Sequence, residues 1–209
     1  MQRGIVISVT GIDGAGKSTQ VAALTDALVA AGVPAVSAKT ELTASWSILR
    51  FSENRWGDPF AYHEHLPATL EFFVLACEVT RYHEQVVAPA VAAGELVVWD
   101  RGPYCPVAYA DAGRGDPRWI REILSLVPDP DLVVHLDLAP EVAHERLAGR
   151  PGGAQANESL DHLRRVRSAY RQALPGPPRC VVVDASLGAR EQTSHLLALA
   201  QTAWRNRPE

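Results

Sequence analysis

The chain has 209 residues, of which 47% are hydrophobic, and it carries a formal net charge of -4 at pH 7. This length and apolar content suffice for one substantial core, so we expect a single domain over residues 1–209. The acidic balance argues against a general nucleic-acid binder, because contacts with many phosphates require a basic face. Small phosphorylated ligands are compatible with this composition.

The three cysteines give no sign of a disulfide framework or a zinc site. Cys77, Cys105 and Cys180 are odd in number and widely spaced, with no CxxC pair. The apolar run near the N-terminus is too short for a signal peptide, and no apolar stretch approaches the roughly 18 residues of a membrane span. We therefore expect a cytoplasmic protein with no membrane or nucleic-acid partner.

Short apolar runs rich in β-branched residues alternate with longer stretches that favour helix. In chain order we predict a strand at 5–9, a helix at 17–31, a weaker strand at 35–38, a helix at 68–93, strands at 96–99 and 132–136, helices at 140–148 and 158–174, a strand at 180–183 and a helix at 190–204. This alternation predicts an α/β fold in which helices cover both faces of a parallel sheet. Ligands of such sheets bind at the carboxyl ends of the strands.

The segment between the first strand and the first helix reads GIDGAGKST, a complete match to the phosphate-loop pattern G-x-x-x-x-G-K-[ST]. Its glycines allow successive amide groups to point at a phosphate, beside the positive end of the following helix. Lys17 is expected to bridge the β- and γ-phosphates, Ser18 to ligate magnesium and Thr19 to reach a phosphate oxygen. The predicted nucleotide-binding residues of the loop are Gly11, Gly14, Ala15, Gly16, Lys17, Ser18 and Thr19.

This loop occurs in kinases, GTPases and ATPases alike. A guanine-nucleotide switch normally carries an Asn-Lys-x-Asp base reader, and here lysine occurs only at positions 17 and 39. Asp100 and Arg101 follow a buried strand, where a carboxylate can organise magnesium and an arginine can hold a phosphoryl group. The sequence therefore favours a kinase with an acceptor site that faces the loop.

Residues 150–157 read RPGGAQAN and lie between two predicted helices. Proline, paired glycines and small polar residues are typical of a mobile loop, so we predict a short lid here. Candidates to neutralise charge in a transition state are Arg150, the first residue of this segment, and Arg146 and Arg167 on either side of it. Of these, Arg150 at the start of the lid is the predicted catalytic arginine, and Arg146 is predicted to contact the nucleotide.

With these motifs in place, the sequence resembles the thymidylate kinase family of P-loop nucleoside monophosphate kinases. The resemblance is carried by GIDGAGKST, WDRGPYCPVAYA, PDPDLVVHLDLAPEVAHERLAGR and ESLDHLRRVRSAYRQAL, and it covers nearly the whole chain. It implies a P-loop kinase fold with a five-stranded parallel sheet, helices on both faces and a lid. It also implies ATP with Mg²⁺ as the donor, dTMP or a similar nucleotide as the acceptor, and a homodimer as the common assembly.

The resemblance also implies roles on the acceptor side. Asp13 looks like the family carboxylate that faces the acceptor, Arg101 like the arginine of the acceptor phosphate, and Tyr109 like the residue packed against deoxyribose. Phe72 or Phe73 would supply the ring on which a base stacks.

The chain departs from the family pattern where thymine is read. Val79, Cys105 and Ala110 occupy positions where the family has an arginine, a serine or asparagine, and a glutamine. Cys105, and Arg81 two residues after Val79, are therefore predicted to contact the acceptor in place of the family's residues.

A second hypothesis is a kinase of the same fold that phosphorylates a hydroxyl group. Glu41 precedes Trp46 by five residues, which is similar to an element of deoxynucleoside kinases in which the glutamate acts as base. A hydroxyl acceptor needs such a carboxylate to take its proton, whereas a phosphate acceptor is already anionic. Glu41 is thus the predicted catalytic residue that separates the two hypotheses.

Overall fold

The structure is a computed structural model that describes residues 2–40, 43–113, 115–151 and 158–208, without the side chains of residues 43–46 and 63. Five parallel strands form one sheet in the order β2-β3-β1-β4-β5. The strands are β1 (Ile5–Gly11), β2 (Ala35–Lys39), β3 (Leu96–Asp100), β4 (Leu132–Asp137) and β5 (Cys180–Asp184). The predicted fold class is confirmed, and each strand continues one or two residues beyond the apolar run that predicted it.

Helices flank the sheet, and within the described residues they begin and end as follows. They are α1 (Lys17–Ala30), α2 (Thr43–Trp56), α3 (Tyr62–His65), α4 (Ala68–Tyr82), α5 (Ala88–Ala92), α6 (Tyr104–Ala112), α7 (Pro117–Leu124), α8 (Pro140–Ala148), α9 (Leu160–Ala173) and α10 (Ala189–Arg205). Helix α1 packs against α10, while α6 packs against α4, α7 and α9. None of the described helices is long and apolar enough to cross a membrane.

The helix predicted at 68–93 is present, but a π-helical turn at His83–Val87 joins α4 to α5. Pro89 follows this turn and has no amide hydrogen for a bond to the carbonyl group of Gln85, so regular α-helical pairing fails here. The amide of Ala88 donates instead to the carbonyl oxygen of His83. Proline thus accounts for the change of helix type without a break in the helix.

Four helices were not predicted: α2, α3, α6 and α7. Helix α6 has almost no polar face, since seven of its nine residues are buried, and it therefore lacks amphipathic periodicity. Helix α7 does carry a recognisable start, because the side chain of Asp116 accepts a hydrogen bond from the Arg118 amide and Pro117 occupies the first turn.

The register of the sheet brings the ends of three central strands together. Val9 on β1 lies beside Asp100 on β3, and Gly11 lies beside Leu136 on β4. The phosphate loop leaves β1 at this edge, and the pair Asp100 and Arg101 leaves β3 at the same edge. This edge is where an α/β sheet binds its ligands.

Candidate active site

The loop between β1 and α1 curls in a way that its glycines permit. Gly11, Gly14 and Gly16 have φ angles of 146°, 82° and 88°, a region that favours glycine. A Cβ atom on Gly14 would lie 2.7 Å from the carbonyl oxygen of Ala143 on α8, whereas one on Gly16 would meet nothing within 4 Å. Gly14 is therefore required by packing, and Gly16 borders open space at the start of α1.

Helix α1 begins without a side-chain cap, since Gly16 occupies the capping position. The first amides of the helix and its positive dipole end therefore face that open space, which suits an anionic group. The guanidinium group of Arg146, on α8, donates to the carbonyl oxygens of Gly14 at 3.4 Å and Ala185 at 3.3 Å. The predicted nucleotide contact Arg146 thus lies beside the loop.

Lys17 is held against the loop with only 6% of its surface exposed. Its Nζ donates to the carbonyl oxygen of Ile12 at 2.8 Å and lies 3.4 Å from Asp13 Oδ1. Burial and the charge of Arg101 lower the pKa of Lys17, although Asp13 opposes this shift. The ammonium group is poorly solvated in this position, so an added anion would stabilise its charge.

Ser18 and Asp100 contact one another across the start of α1 and the end of β3. Ser18 Oγ donates to Asp100 Oδ2 at 2.6 Å. Asp100 is 2% exposed, and its buried Oδ1 has no hydrogen-bond partner among the described residues. A hydroxyl and a carboxylate oxygen are ligands that Mg²⁺ accepts when waters and phosphates complete its shell, so this pair fits that ion.

No group of three or more His, Cys, Asp or Glu side chains in the described part of the chain is arranged to hold a metal. Mg²⁺ in sites that bind substrate phosphates usually has only one or two carboxylate ligands and keeps several waters.

Asp13 joins the loop to the acceptor side. Its Oδ1 accepts from Arg101 Nη2 at 2.5 Å, and its Oδ2 accepts from the Tyr109 hydroxyl at 2.6 Å. Burial by itself would raise the pKa of Asp13, but the charges of Arg101 and Lys17 and the two hydrogen bonds outweigh it and hold this pKa well below the usual range. Asp13 is thus a carboxylate with both oxygens engaged, which makes it a poor base.

A strained turn sets the direction of Arg101. Its φ angle of 79° is in the left-handed region, where residues other than glycine are uncommon. The Arg101 amide donates to the Val9 carbonyl oxygen at 2.9 Å, and the Ser8 hydroxyl donates to the Arg101 carbonyl oxygen at 3.1 Å. These two bonds to β1 hold the strained residue, so the guanidinium group faces Asp13 and helix α6.

The guanidinium group of Arg101 has two further contacts on α6. Its Nη1 donates to the Tyr109 hydroxyl oxygen at 3.4 Å and to Cys105 Sγ at 3.6 Å. Although burial disfavours its charge, Asp13 raises the pKa of Arg101 well above its ordinary value. The structure therefore brings four predicted acceptor contacts together: Asp13, Arg101, Cys105 and Tyr109.

The predicted acceptor residues of α4 have different environments. Phe72 is buried against the turn after α6, where a Cβ atom on Gly115 would lie 2.6 Å from its ring. Phe73 is 43% exposed, and its ring stacks on that of Trp119 on α7 with 5.9 Å between the ring centroids. Arg81 donates to Gln85 at 2.7 Å, and Val79 is buried.

Two of the three predicted lid arginines have carboxylate partners. Arg150 pairs with the buried Glu158 at 2.5 Å, and Arg167 forms two hydrogen bonds with Asp137, of 2.7 and 2.8 Å. The lid prediction at 150–157 falls mainly outside the described residues, which reach 151 and resume at 158. Glu41 also lies outside them.

Sequence reasoning missed the residues behind the acceptor side. The Tyr170 ring on α9 packs against the His135 ring, with 5.0 Å between the ring centroids. It also meets the Tyr109 ring edge to face, with 6.4 Å between the centroids. His135 on β4 shares a hydrogen bond of 3.2 Å with Thr10 on β1. A polar residue inside each of two largely apolar strands was the available signal for His135 and Thr10.

Comparison with known proteins gives one consistent result. The sequence model of the thymidylate kinase family matches residues 9–196. A thymidylate kinase of Chromobacterium violaceum is 35% identical over 196 residues, which cover 90% of this chain and 89% of that protein. One of Verminephrobacter eiseniae is 33% identical, with 88% and 84% covered, and a probable thymidylate kinase of Pyrobaculum aerophilum is 32% identical, with 92% and 94% covered.

Proposed function

The chain belongs to the thymidylate kinase family, and from this premise we propose that it transfers the γ-phosphoryl group of ATP to the phosphate of dTMP, which gives dTDP. The single observation that carries the proposal is the position of Asp13, whose carboxylate contacts both Lys17 of the phosphate loop and Arg101 of the acceptor side. The two cationic groups are thus held at one point, as transfer between two phosphates requires.

The donor would bind at the start of α1. The open space beside Gly16 and the uncapped first turn of the helix suit the phosphates of ATP. Lys17 would leave the Ile12 carbonyl group for the β- and γ-phosphates, where its charge has a stronger partner. Arg146, which lies against the loop and has backbone partners, would contact the nucleotide.

Ser18 and Asp100 would hold Mg²⁺, either directly or through water. When bound, the ion supplies a positive charge that binds phosphate oxygens of the donor and stabilises negative charge during transfer. The unpaired Oδ1 of Asp100 supports this assignment, because a buried carboxylate oxygen without a donor is costly.

The acceptor side favours an anion over a neutral hydroxyl group. Arg101 supplies a fixed positive charge, and a guanidinium group can hold a phosphate through two parallel hydrogen bonds. Asp13 is not arranged to take a proton, since both oxygens accept hydrogen bonds and its pKa is low. Phosphoryl transfer to a phosphate needs no general base, which agrees with this chemistry.

Arg150 and Arg167 stay candidates for stabilising the transition state. In the described structure each is engaged with a carboxylate, so each would have to exchange this partner for a phosphate oxygen. Arg150 is the stronger candidate, because it is the first residue of the predicted lid.

Three further predictions enter the proposal: a single domain over 1–209, a cytoplasmic location and a homodimer. The three cysteines are free, which suits a reducing compartment. Phe51 on α2 and Leu70 and Phe73 on α4 are large apolar side chains with 41–53% of their surface exposed. Such side chains on adjacent helices support a dimer contact, and light scattering of the purified protein measures the assembly directly.

The function is tested by mass spectrometry of products after incubation with ATP, Mg²⁺ and one acceptor at a time. The acceptors are dTMP, the other nucleoside monophosphates, thymidine and simple alcohols. We expect dTDP from dTMP and no phosphorylated product from thymidine. Turnover of thymidine or an alcohol without turnover of dTMP would contradict the proposal.

Lys17→Ala is the matched variant for this assay. We expect its turnover to fall at least about 100-fold, because a charge that stabilises the transferred group is removed. Circular dichroism should show an unchanged fold, since Lys17 is the first residue of α1 and alanine is compatible with a helix. A Lys17→Ala protein with full turnover would refute the assignment of the loop.

A further inference from the structure

The Tyr170 hydroxyl is an unusual polar group next to the acceptor side. The side chain is fully buried, and its hydroxyl has no hydrogen-bond partner among the described residues. Burial raises the pKa of Tyr170 well above its ordinary value, and the nearby Cys105 thiol contributes to this shift. The hydroxyl therefore lies near a thiol, which is only a weak acceptor, and no acceptor among the described residues is at hydrogen-bond distance from it.

The surrounding groups explain why this hydroxyl has no acceptor among the described residues. Both carboxylate oxygens of Asp13 are used by Arg101 and Tyr109. The Cys105 sulfur already accepts from Arg101 Nη1 at 3.6 Å. Arg101 therefore already uses part of the weak acceptor capacity of this sulfur.

We propose that Tyr170 is a positioning residue for acceptor binding, whose hydroxyl donates to Cys105 Sγ when the acceptor phosphate draws the Arg101 guanidinium group away from that sulfur. The inference rests on the proposed function, because it takes Arg101 as the group that binds the acceptor phosphate. The exchange gives both groups a partner: Arg101 gains phosphate oxygens, and Tyr170 gains the released sulfur.

This exchange gives a reason for an arrangement that is otherwise costly. A buried hydroxyl without a partner destabilises the folded protein, and such groups in native structures call for an explanation. If acceptor binding completes the hydrogen bond, the cost is present in the free enzyme and removed in the complex. Part of the acceptor affinity then comes from the tyrosine behind the site.

Tyr170→Phe tests the proposal, because it removes the hydroxyl and keeps the ring contacts with His135 and Tyr109. Without an unpaired hydroxyl, the Tm of the free enzyme should rise by about 2–4 °C. The KM for dTMP should rise about 3- to 10-fold with a much smaller change in kcat, because the exchange bond is lost. A purely structural tyrosine would leave KM unchanged.

Tyr104→Phe is the matched control on α6. The Tyr104 hydroxyl donates to Asp129 Oδ1 at 2.8 Å, away from the acceptor cluster. Its loss should lower the Tm and leave the KM for dTMP unchanged. The two tyrosine variants are thus expected to shift the Tm in opposite directions.

Cys105→Ser gives a second measurement that depends on stability alone. A serine hydroxyl is a strong partner, so Tyr170 is already paired in this background. Tyr170→Phe should then lower the Tm of the Cys105→Ser protein, whereas it should raise the Tm of the protein that has Cys105. A Tm that rises equally in both backgrounds would overturn the role of Cys105.

The outcomes separate this inference from the proposed function. If the wild-type protein converts dTMP and Tyr170→Phe leaves its KM unchanged, the inference is wrong and the function stands. If the wild-type protein does not convert dTMP, the proposed function is wrong. The inference is then wrong as well, because the exchange requires an acceptor phosphate. A Tyr170→Phe protein with a lower Tm would show that the hydroxyl is already paired in the free enzyme, which also overturns the inference.

Discussion

Asp13 is the residue on which the two sides of the site depend. It lies 3.4 Å from the Lys17 ammonium group and accepts bonds from Arg101 and Tyr109. One carboxylate between two cations keeps both of them in the site before any phosphate enters, which limits the reorganisation that binding requires. The two cations are therefore positioned by a carboxylate whose oxygens both accept hydrogen bonds.

Asp13→Asn should lower the free energy of unfolding at pH 7 by roughly 1–3 kcal/mol, because Arg101 loses its carboxylate. The folded pKa of Asp13 lies below its ordinary value of 3.8, so its stabilisation is present at higher pH. As the pH falls from about 5 toward 3, the unfolded chain takes up a proton that the folded protein does not. The difference between wild type and variant should therefore shrink over this range in urea titrations.

Asp26→Asn is the control for this measurement, since Asp26 is an exposed residue of α1. It should follow the wild type at every pH. A difference between wild type and Asp13→Asn that is constant from pH 5 to 3 would contradict the assignment of a low pKa to Asp13.

At the scale of elements, two glycines of the phosphate loop have different tasks. Both have left-handed φ angles, of 82° at Gly14 and 88° at Gly16. Gly14 lets the loop pack against the backbone of α8, whereas Gly16 leaves room at the start of α1. The sequence pattern requires both, but only the structure distinguishes a packing glycine from one that borders open space.

The pair Gly14→Ala and Gly16→Ala separates these tasks. Each variant should lose about 1–2 kcal/mol from backbone strain. Gly14→Ala should lose more, since its methyl group would overlap a helix backbone that cannot move freely. Gly16→Ala should show the larger loss of ATP affinity relative to its loss of stability. Thermal melts measure the stability of the two variants, and calorimetric titration measures their affinity for ATP. A higher Tm for Gly14→Ala than for Gly16→Ala would contradict the prediction.

The elements differ in how far the sequence determines them. The strands and the loop were predictable, because buried parallel strands and phosphate loops have local patterns. Helix α6, which carries Cys105 and Tyr109, was missed because its buried surface runs around most of the helix. The position of Tyr170 behind Tyr109 was missed for another reason: it depends on how α9 packs against α6, which no local pattern encodes.

At the scale of the whole molecule, the site lies on the most deeply buried part of the sheet. Every residue of β1 and β3 is buried, as are five of the six in β4, whereas the edge strands β2 and β5 are partly exposed. The groups that must be held in fixed positions therefore follow the central strands. Stability of the sheet and geometry of the site depend on the same residues.

His135 links this sheet to the pH dependence of folding. The residue lies on β4 opposite Thr10 of β1, and its ring packs against Tyr170. Burial lowers the pKa of His135 from 6.5 to about 4; Asp137 opposes this shift, while Arg167, Lys17 and Arg171 add to it. The imidazole is thus neutral in the folded protein at neutral pH.

The sign of the effect follows from this depressed pKa. Between pH 6.5 and about 4 the unfolded chain binds a proton at His135 and the folded protein does not, so the free energy of unfolding should fall with falling pH. At 1.36 kcal/mol per pH unit, the interval from 6.5 to about 4 corresponds to about 3 kcal/mol.

His135→Asn keeps a polar atom near Thr10 and cannot titrate, so its unfolding free energy should vary much less over this range. His195→Asn, on an exposed position of α10, should retain the wild-type slope. Urea titrations at half-unit steps of pH measure all three proteins, and an unchanged slope in His135→Asn would place the acid sensitivity elsewhere in the molecule.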